Sequence, residues 1–203
     1  MIVIIDYGMG NIHSVQKALE LMGGRTLVSN KAEDIKKADK LVLPGVGAFD
    51  DAMRELNGQG LIPAIKEAVK NKKPLLGICL GMQLLFEDSE EAKKTKGLGI
   101  LRGSVKKFEA SGSLKVPHMG WNSLKVEGRD CPLLKGIDTG SFVYFCHSYY
   151  PEPADKDVVA ATCGYSKDFC CLAWKGNIYG AQFHPEKSQE TGLKILKNFV
   201  QLC

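Results

Sequence analysis

The sequence predicts a single-domain α/β fold: a doubly wound, flavodoxin-like, mostly parallel central sheet with antiparallel strands added in its second half. Three observations carry this. In the first half, short apolar runs alternate with stretches of helical spacing, which implies crossover connections and a parallel sheet covered on both faces. In the second half, short strand-like runs follow one another between turns. The chain has 203 residues, 44% apolar and 25% charged. That suits one domain, residues 1–203, able to bury a real core, without linker, repeat or low-complexity segment.

The elements follow in order. Ile2–Asp6 reads as the first strand, ending in the turn Tyr7-Gly8-Met9-Gly10. Asn11 stands at a capping position, and Ile12, Val15, Ala18, Leu19 and Met22 keep helical spacing until Gly23-Gly24 stops them. Thr26–Ser29 is a weak second strand. Lys40–Leu43 is a third, punctuated by Pro44-Gly45-Val46-Gly47. Helical material runs from Phe49 to about Asn71, broken near Gly58–Gly60. Pro74–Cys79 is apolar again, and Leu80–Phe86 returns to helical spacing. Val116–Leu124, Ser141–Tyr149, Val158–Thr162, Cys171–Trp174 and Ile178–Phe183 read as strands added antiparallel to the same core. Ser188–Val200 closes the chain as a helix with Leu193, Leu196, Phe199 and Val200 among its apolar positions. Glu90–Lys96 reads as a charged surface loop.

Composition removes several function classes. Lys plus Arg (27) exceed Asp plus Glu (23) by four, and the lysine doublets at 36, 72, 93 and 106 are scattered. No aromatic-interleaved basic cluster accompanies them, so nucleic acid is not an expected partner. No apolar run approaches the ~20 residues of a membrane helix, and Met1 leads straight into Ile-Val-Ile-Ile-Asp without a basic region, so neither a membrane span nor a signal peptide is expected. Seven cysteines, without a C-x-x-C, fit a reduced, cytoplasmic compartment better than a disulfide framework or a zinc site. Tyr7–Asn11 invites a dinucleotide-binding reading, but G-x-G-x-x-G fails at His13 and no acidic residue ends the second strand, where Asn30 sits. With no P-loop and no metal-ligand spacing, the expectation is thiol chemistry without cofactor or metal.

Gly77-Ile78-Cys79-Leu80-Gly81 lies where a buried strand turns into a helix and matches the nucleophile elbow with Cys in place of Ser. Such a turn exposes the side chain, a helix N-terminus favours its thiolate, and the amide of Leu80 points where an oxyanion forms. Taken alone, the pentapeptide also describes a core cysteine between two packing glycines. A cysteine nucleophile needs a base and a group to orient it. Of His13, His118, His147 and His184, the last stands in Phe183-His184-Pro185-Glu186. Pro185 biases His184 toward extended backbone, where residues two apart share a side, which places Glu186 beside the ring. Alone, this too reads as an ordinary surface turn. With the elbow, Pro44–Gly47 becomes a second oxyanion donor beside Leu80, through the amide of Val46. Gln83 lies four residues past Cys79, one helical turn along the same face.

At these residues the sequence resembles the triad-type (class I) glutamine amidotransferases. Asp6–Asn11, Pro44–Phe49, Gly77–Phe86, Pro117–Asn122 and His184–Glu186 appear in family order along the whole chain. The opening motif and Pro-His-Met-Gly-Trp-Asn point within it to the glutaminase subunits of the imidazole glycerol phosphate synthase family, in histidine biosynthesis. The resemblance implies that Cys79 attacks the side-chain amide of L-glutamine, that His184 moves the proton, and that Glu186 orients it. It implies substrate contacts from Gly47, Gln83, Glu91 and the backbone around His147, Ser148 and Tyr149. His147 rivals His184 as base but lacks an adjacent carboxylate. It implies that ammonia passes through a protected channel to a separate (β/α)₈ cyclase subunit, since a barrel needs roughly 250 residues of its own. Asn11, Trp121, Tyr144 and Lys187 would lie at that heterodimer interface. It also implies an oxyanion loop misoriented until the cyclase binds its substrate, and so little activity from the chain alone. Other readings are a glutaminase feeding a purine, pyridoxal phosphate or surface-sugar synthase, a non-enzymatic scaffold, or a cysteine hydrolase of peptides.

Overall fold

The computed structural model describes residues 1–109, 115–128 and 130–203. Its elements are β1 (Ile2–Ile5), α1 (Ile12–Leu21), β2 (Thr26–Ser29), α2 (Ala32–Lys37), β3 (Lys40–Gly45), α3 (Phe49–Gly58), α4 (Leu61–Lys70), β4 (Leu75–Cys79) and α5 (Leu80–Gln83) in the first half. The second half holds β5 (Asp88–Ser89), β6 (Gly103–Lys107), β7 (His118–Ser123), β8 (Lys125–Val126), β9 (Phe142–His147), β10 (Tyr149–Pro153), β11 (Val159–Gly164), β12 (Asp168–Lys175), β13 (Ile178–Ala181) and α6 (Gln189–Leu202). The main sheet has eight strands in the order β2-β1-β3-β4-β13-β12-β11-β8.

The first five of these strands are parallel and the last three antiparallel. In β1 every residue is buried, Ile2 and Ile4 in one core and Val3 and Ile5 in the other, as expected of a strand covered on both faces. α1 and α6 cover the first face through Val15, Leu19, Ile195, Leu196 and Phe199; α2, α3 and α4 cover the second through Ile35, Met53, Leu56 and Ile65. Among the described residues no helix is long and apolar enough to cross a membrane.

Several expectations are corrected. Ile178–Ala181 is not an antiparallel addition: it pairs parallel with β4 and extends the parallel sheet. β7 and β9 do not join the central sheet but pair with each other. Their burial alternates, leaving Met119, Trp121 and Phe142 at 61%, 46% and 58% exposure, a pattern that only one covered face can satisfy. Leu80–Phe86 is helical only to Gln83; Leu84, Leu85 and Phe86 are apolar because the turn itself is buried. Asn11 sits at the N-cap of α1 but caps with no side-chain bond; its carbonyl accepts from the Val15 N–H. α2 is polar and short, with Ile35 its one buried residue, so no periodicity announced it. The charged loop at 90–96 is tied down: Glu90 accepts from the Lys107 amide, and Asp50 from the Lys93 amide.

Candidate active site

The C-terminal ends of β1, β3, β4 and β13 lie side by side, beside the point where the strand order reverses between β1 and β3, which is where open α/β sheets bind ligands. Cys79 ends β4 with φ 55° and ψ −114°. This is a region that residues bearing a Cβ rarely adopt, at a strain of about 1–3 kcal/mol. The flanking glycines are what make it possible. A Cβ on Gly81 would stand 1.8 Å from the Leu43 carbonyl oxygen, and one on Gly77 2.6 Å from that of Gly81. The strand, the elbow and β3 therefore close on one another only without those carbons. With four residues, α5 contributes free amides, Leu80 first, rather than the long helix dipole expected at this turn.

His184 follows β13 and is held at both backbone groups. Its N–H donates to the Tyr144 carbonyl (2.9 Å), and its carbonyl accepts from Ser188 Oγ (2.6 Å), which itself accepts from the Tyr144 N–H. Nδ1 lies 2.9 Å from Glu186 Oε1, with the two side chains 5% and 1% exposed. The pairing is not made along an extended strand, as expected. His184 is extended, but Pro185–Lys187 is a single 3₁₀ turn that folds the carboxylate back under the ring. Burial alone would lower the pKa of His184. The hydrogen bond and charge of Cys79, together with those of Glu186, outweigh it and push the ring up to about 10.

These groups line a cavity of about 350 Å³ formed by Val46, Gly47, Cys79, Leu80, Gln83, Glu91, Pro117, Tyr144, Cys146, His147, Ser148, Tyr149, His184 and Lys187. Of the site residues singled out in the sequence, Asn11, Trp121 and Glu186 are not part of its lining; Glu186 reaches it through the His184 ring. Trp121 packs edge-on to Tyr144, ring centroids 6.0 Å apart, and lines a separate depression with Phe142. Val46 is 43% exposed and Gly47 has φ +96°, open to either peptide orientation. The loop rests on the Tyr7–Gly10 turn: the buried Tyr7 hydroxyl donates to the Pro44 carbonyl (2.9 Å), and a Cβ on Gly47 would reach within 2.8 Å of the Met9 methyl. That turn therefore supports the loop and does not form a nucleotide-binding fingerprint. Glu91 accepts from the Phe49 amide at the start of α3 (3.0 Å), and burial raises its pKa.

His147 cannot serve as the base. Its Nδ1 faces the Tyr149 carbonyl at 2.8 Å and its Nε2 faces His118 Nδ1 at 3.0 Å. Burial drives both rings down, His147 to about 3 and His118 to about 4. Gln83 Nε2 donates to the same Tyr149 carbonyl (2.9 Å) and to Gln182 Oε1 (3.0 Å). Tyr7, His118, Gln182 and Ser188 were not picked out as site residues from the sequence. They act from behind the cavity wall, Tyr7 on Pro44, His118 on His147, Gln182 on Gln83 and Cys79, and Ser188 on His184, and contacts between such distant positions leave no local signal in the sequence.

Fold and geometry can now be set beside known proteins. The family model for "Glutamine amidotransferase class-I" matches residues 3–202. The chain is a class-I glutamine amidotransferase. Among curated proteins, this amidotransferase is 52% identical to "Imidazole glycerol phosphate synthase subunit HisH" of Syntrophotalea carbinolica, over 98% of each chain. It is 53% identical to the protein of that name from Geobacillus kaustophilus, over 100% of this chain and 97% of the relative. Among solved structures, the amidotransferase overlays on a "Crystal structure of glutamine amidotransferase" with TM-score 0.76 at 19% identity, covering 98% and 99% of the two chains. It overlays on the glutaminase domain of Trypanosoma brucei CTPS, solved with bound acivicin, with TM-score 0.69 at 16% identity over 97% and 92%. At those identities the overlays speak to the fold alone.

Proposed function

We propose that this amidotransferase hydrolyses L-glutamine through Cys79, His184 and Glu186 and hands the ammonia to a (β/α)₈ cyclase subunit, which makes imidazole glycerol phosphate and aminoimidazole carboxamide ribotide. The chemistry rests on one observation: His184, held by Glu186 at 2.9 Å, lines the same cavity as a strained cysteine. The pathway rests on the full-length identity to proteins named for that synthase.

With Nδ1 bound to Glu186, His184 has Nε2 for Cys79. The sulfur attacks the side-chain amide carbon of glutamine while His184 holds the thiol proton. The amides of Leu80 and Val46 receive the developing oxyanion. Collapse of the tetrahedral intermediate breaks the C–N bond, and His184 gives its proton to the departing ammonia. Water, deprotonated by the same ring, hydrolyses the glutamyl thioester, releasing glutamate and restoring the thiol. Gly47, Gln83, Glu91 and the backbone of His147, Ser148 and Tyr149 hold the substrate. The exposed apolar residues Met119, Trp121 and Phe142 beside Tyr144, with Asn11 and Lys187, form the docking face for the cyclase. Rotation of a peptide in Pro44–Gly47 keeps turnover low until the cyclase binds its own substrate.

The test is glutamate release from L-glutamine by wild type and Cys79→Ser, each alone and with the cyclase and its nucleotide substrate. Release that needs the liganded cyclase and vanishes in Cys79→Ser is expected. Brisk release from the free chain, unchanged by cyclase, would move it to another pathway; none under any condition, from a folded complex, would leave a scaffold.

A further inference from the structure

One chain of hydrogen bonds runs from Asn122 on β7, through a stretch closed from solvent between His118 and Gln182, to the candidate nucleophile. The Tyr149 carbonyl is its hub, and because a carbonyl only accepts, it dictates the direction of both arms. On one side it takes a hydrogen from Gln83 Nε2 at 2.9 Å. The second hydrogen of that amide group faces Gln182 at 3.0 Å, so the atom there is the oxygen Oε1. Gln182 must then turn Nε2 toward Cys79 Sγ, 3.8 Å away. On the other side the hub takes a hydrogen from His147 Nδ1, which leaves Nε2 to accept from His118 Nδ1. His118 Nε2 accepts in turn from Asn122, 3.4 Å away, whose amide group also donates to the Gly164 carbonyl at 2.8 Å.

Every side chain near the sulfur end is sealed from solvent: Gln182 is 0% exposed, Gln83 and His118 4%, and His147 6%. A buried primary amide can adopt two orientations, and only one presents an N–H to the sulfur. Here the alternative would set Gln182 Nε2 against Gln83 Nε2, donor against donor, and leave the sulfur facing an oxygen. His118 is further clamped between rings, stacked at 4.0 Å on Tyr165 and 4.7 Å on Phe145. His118 and His147 are direct cross-strand partners, so the sheet register itself brings them together.

We propose that Gln182 is a further catalytic residue, donating its Nε2–H to the Cys79 thiolate, and that Gln83, His147 and His118 are positioning residues that hold that amide in its donating orientation. This rests on Cys79 being the nucleophile. The other titratable groups acting on Cys79 among the described residues are His184 and Tyr7, and burial keeps the Tyr7 phenol neutral. Those acting on His147 are His118 and His184. A neutral His147 therefore also avoids placing a second cation beside the His184 imidazolium.

The experiment follows iodoacetamide alkylation of Cys79 against pH, read by mass spectrometry on the Cys79 peptide, together with steady-state glutaminase kinetics in the complex with liganded cyclase. Gln182→Met keeps the volume and removes the donor. It is expected to raise the pH midpoint of alkylation by about one unit and to lower kcat about ten-fold, with KM for glutamine changed by less than about two-fold. His147→Leu should reproduce part of both effects, whereas His147→Asn, whose Nδ2 mimics the ring Nδ1–H, should restore them. ¹⁵N spectra of wild type should show His147 as the Nδ1–H tautomer. An unmoved midpoint and kcat in Gln182→Met overturn the donor role. Equal losses in His147→Leu and His147→Asn overturn the positioning role, and because the His147 pair is tested separately, a misfolded Gln182→Met leaves the proposal open to refutation. Glutaminase activity surviving in Cys79→Ser would instead remove the nucleophile on which both rest.

Discussion

Two parts of the molecule bury histidine and treat it in opposite ways. After β13, His184 sits between a carboxylate and a thiol, and its pKa is raised to about 10. Across the cavity, in the β7–β9 sheet, the partners of His118 and His147 among the described residues are a carbonyl, an amide, aromatic rings and each other, with no carboxylate, and burial lowers them to about 4 and 3. Burial pushes all three down; partners decide the outcome. In the proposed mechanism the first region carries a proton, and the second carries hydrogen-bond direction without charge.

The comparison breaks most visibly at Glu186. Glu186→Gln keeps the shape but removes the charge that supports the imidazolium and the acceptor that fixes the tautomer. kcat for glutamine hydrolysis should fall about 10³-fold or more, by analogy with the loss of the orienting carboxylate in serine proteases. The His184 pKa, read from ring-proton chemical shifts, should drop. Loss of less than about ten-fold would mean that Glu186 does not orient the ring.

The next largest effect is on stability, and its sign differs between the two regions. His118 and His147 have folded pKa values of about 4 and 3, below the ordinary 6.5, so the unfolded chain takes up protons first. Their contribution is therefore present above about pH 6.5 and is lost as the pH falls toward 4, at up to about 1.4 kcal/mol per pH unit for each ring. His184 runs the other way: its contribution is full below 6.5 and fades as pH rises toward 10. Urea midpoints at pH 7, 6 and 5 test the acid limb, and replacing His118 and His147 together by Asn should flatten it.

The smallest effect sharpens the contrast by transplanting it. Asn122→Asp sets a carboxylate near His118 Nε2, where the amide nitrogen is now 3.4 Å away. The His118 pKa should rise by about 1–2 units, measurable by NMR titration. An unmoved pKa would mean that solvent, not burial, governs that ring.

Legibility in the sequence divided along the same line. The strand–helix alternation up to Cys79 could be read directly, because parallel strands buried on both faces are unbroken apolar runs such as Ile2–Ile5 and Leu75–Cys79. β5, with two residues, and α2, with one buried side chain, have too little pattern to stand out. The β7 and β9 runs were visible as strands, but not their pairing, since alternation names a covered face without naming what covers it. Most of the site residues singled out line one cavity; Glu186 lies behind it against His184, and Trp121 and Asn11 stand apart from it.

What the sequence determined by itself is local. The Gly-x-Cys-x-Gly spacing and the nearness of His184 to Glu186 along the chain are written in the sequence, although the Leu43 carbonyl on β3 is what demands Gly81 and the 3₁₀ turn at Pro185–Lys187 is what closes the histidine–carboxylate contact. What the tertiary structure alone decided is which histidines are charged and which way the buried amides point. Gln182 is 103 residues from Cys79, Gln83 66 from Tyr149, and His118 29 from His147. Hydrogen-bond direction and desolvation depend on what the fold brings into contact, and no local pattern encodes contacts across such separations.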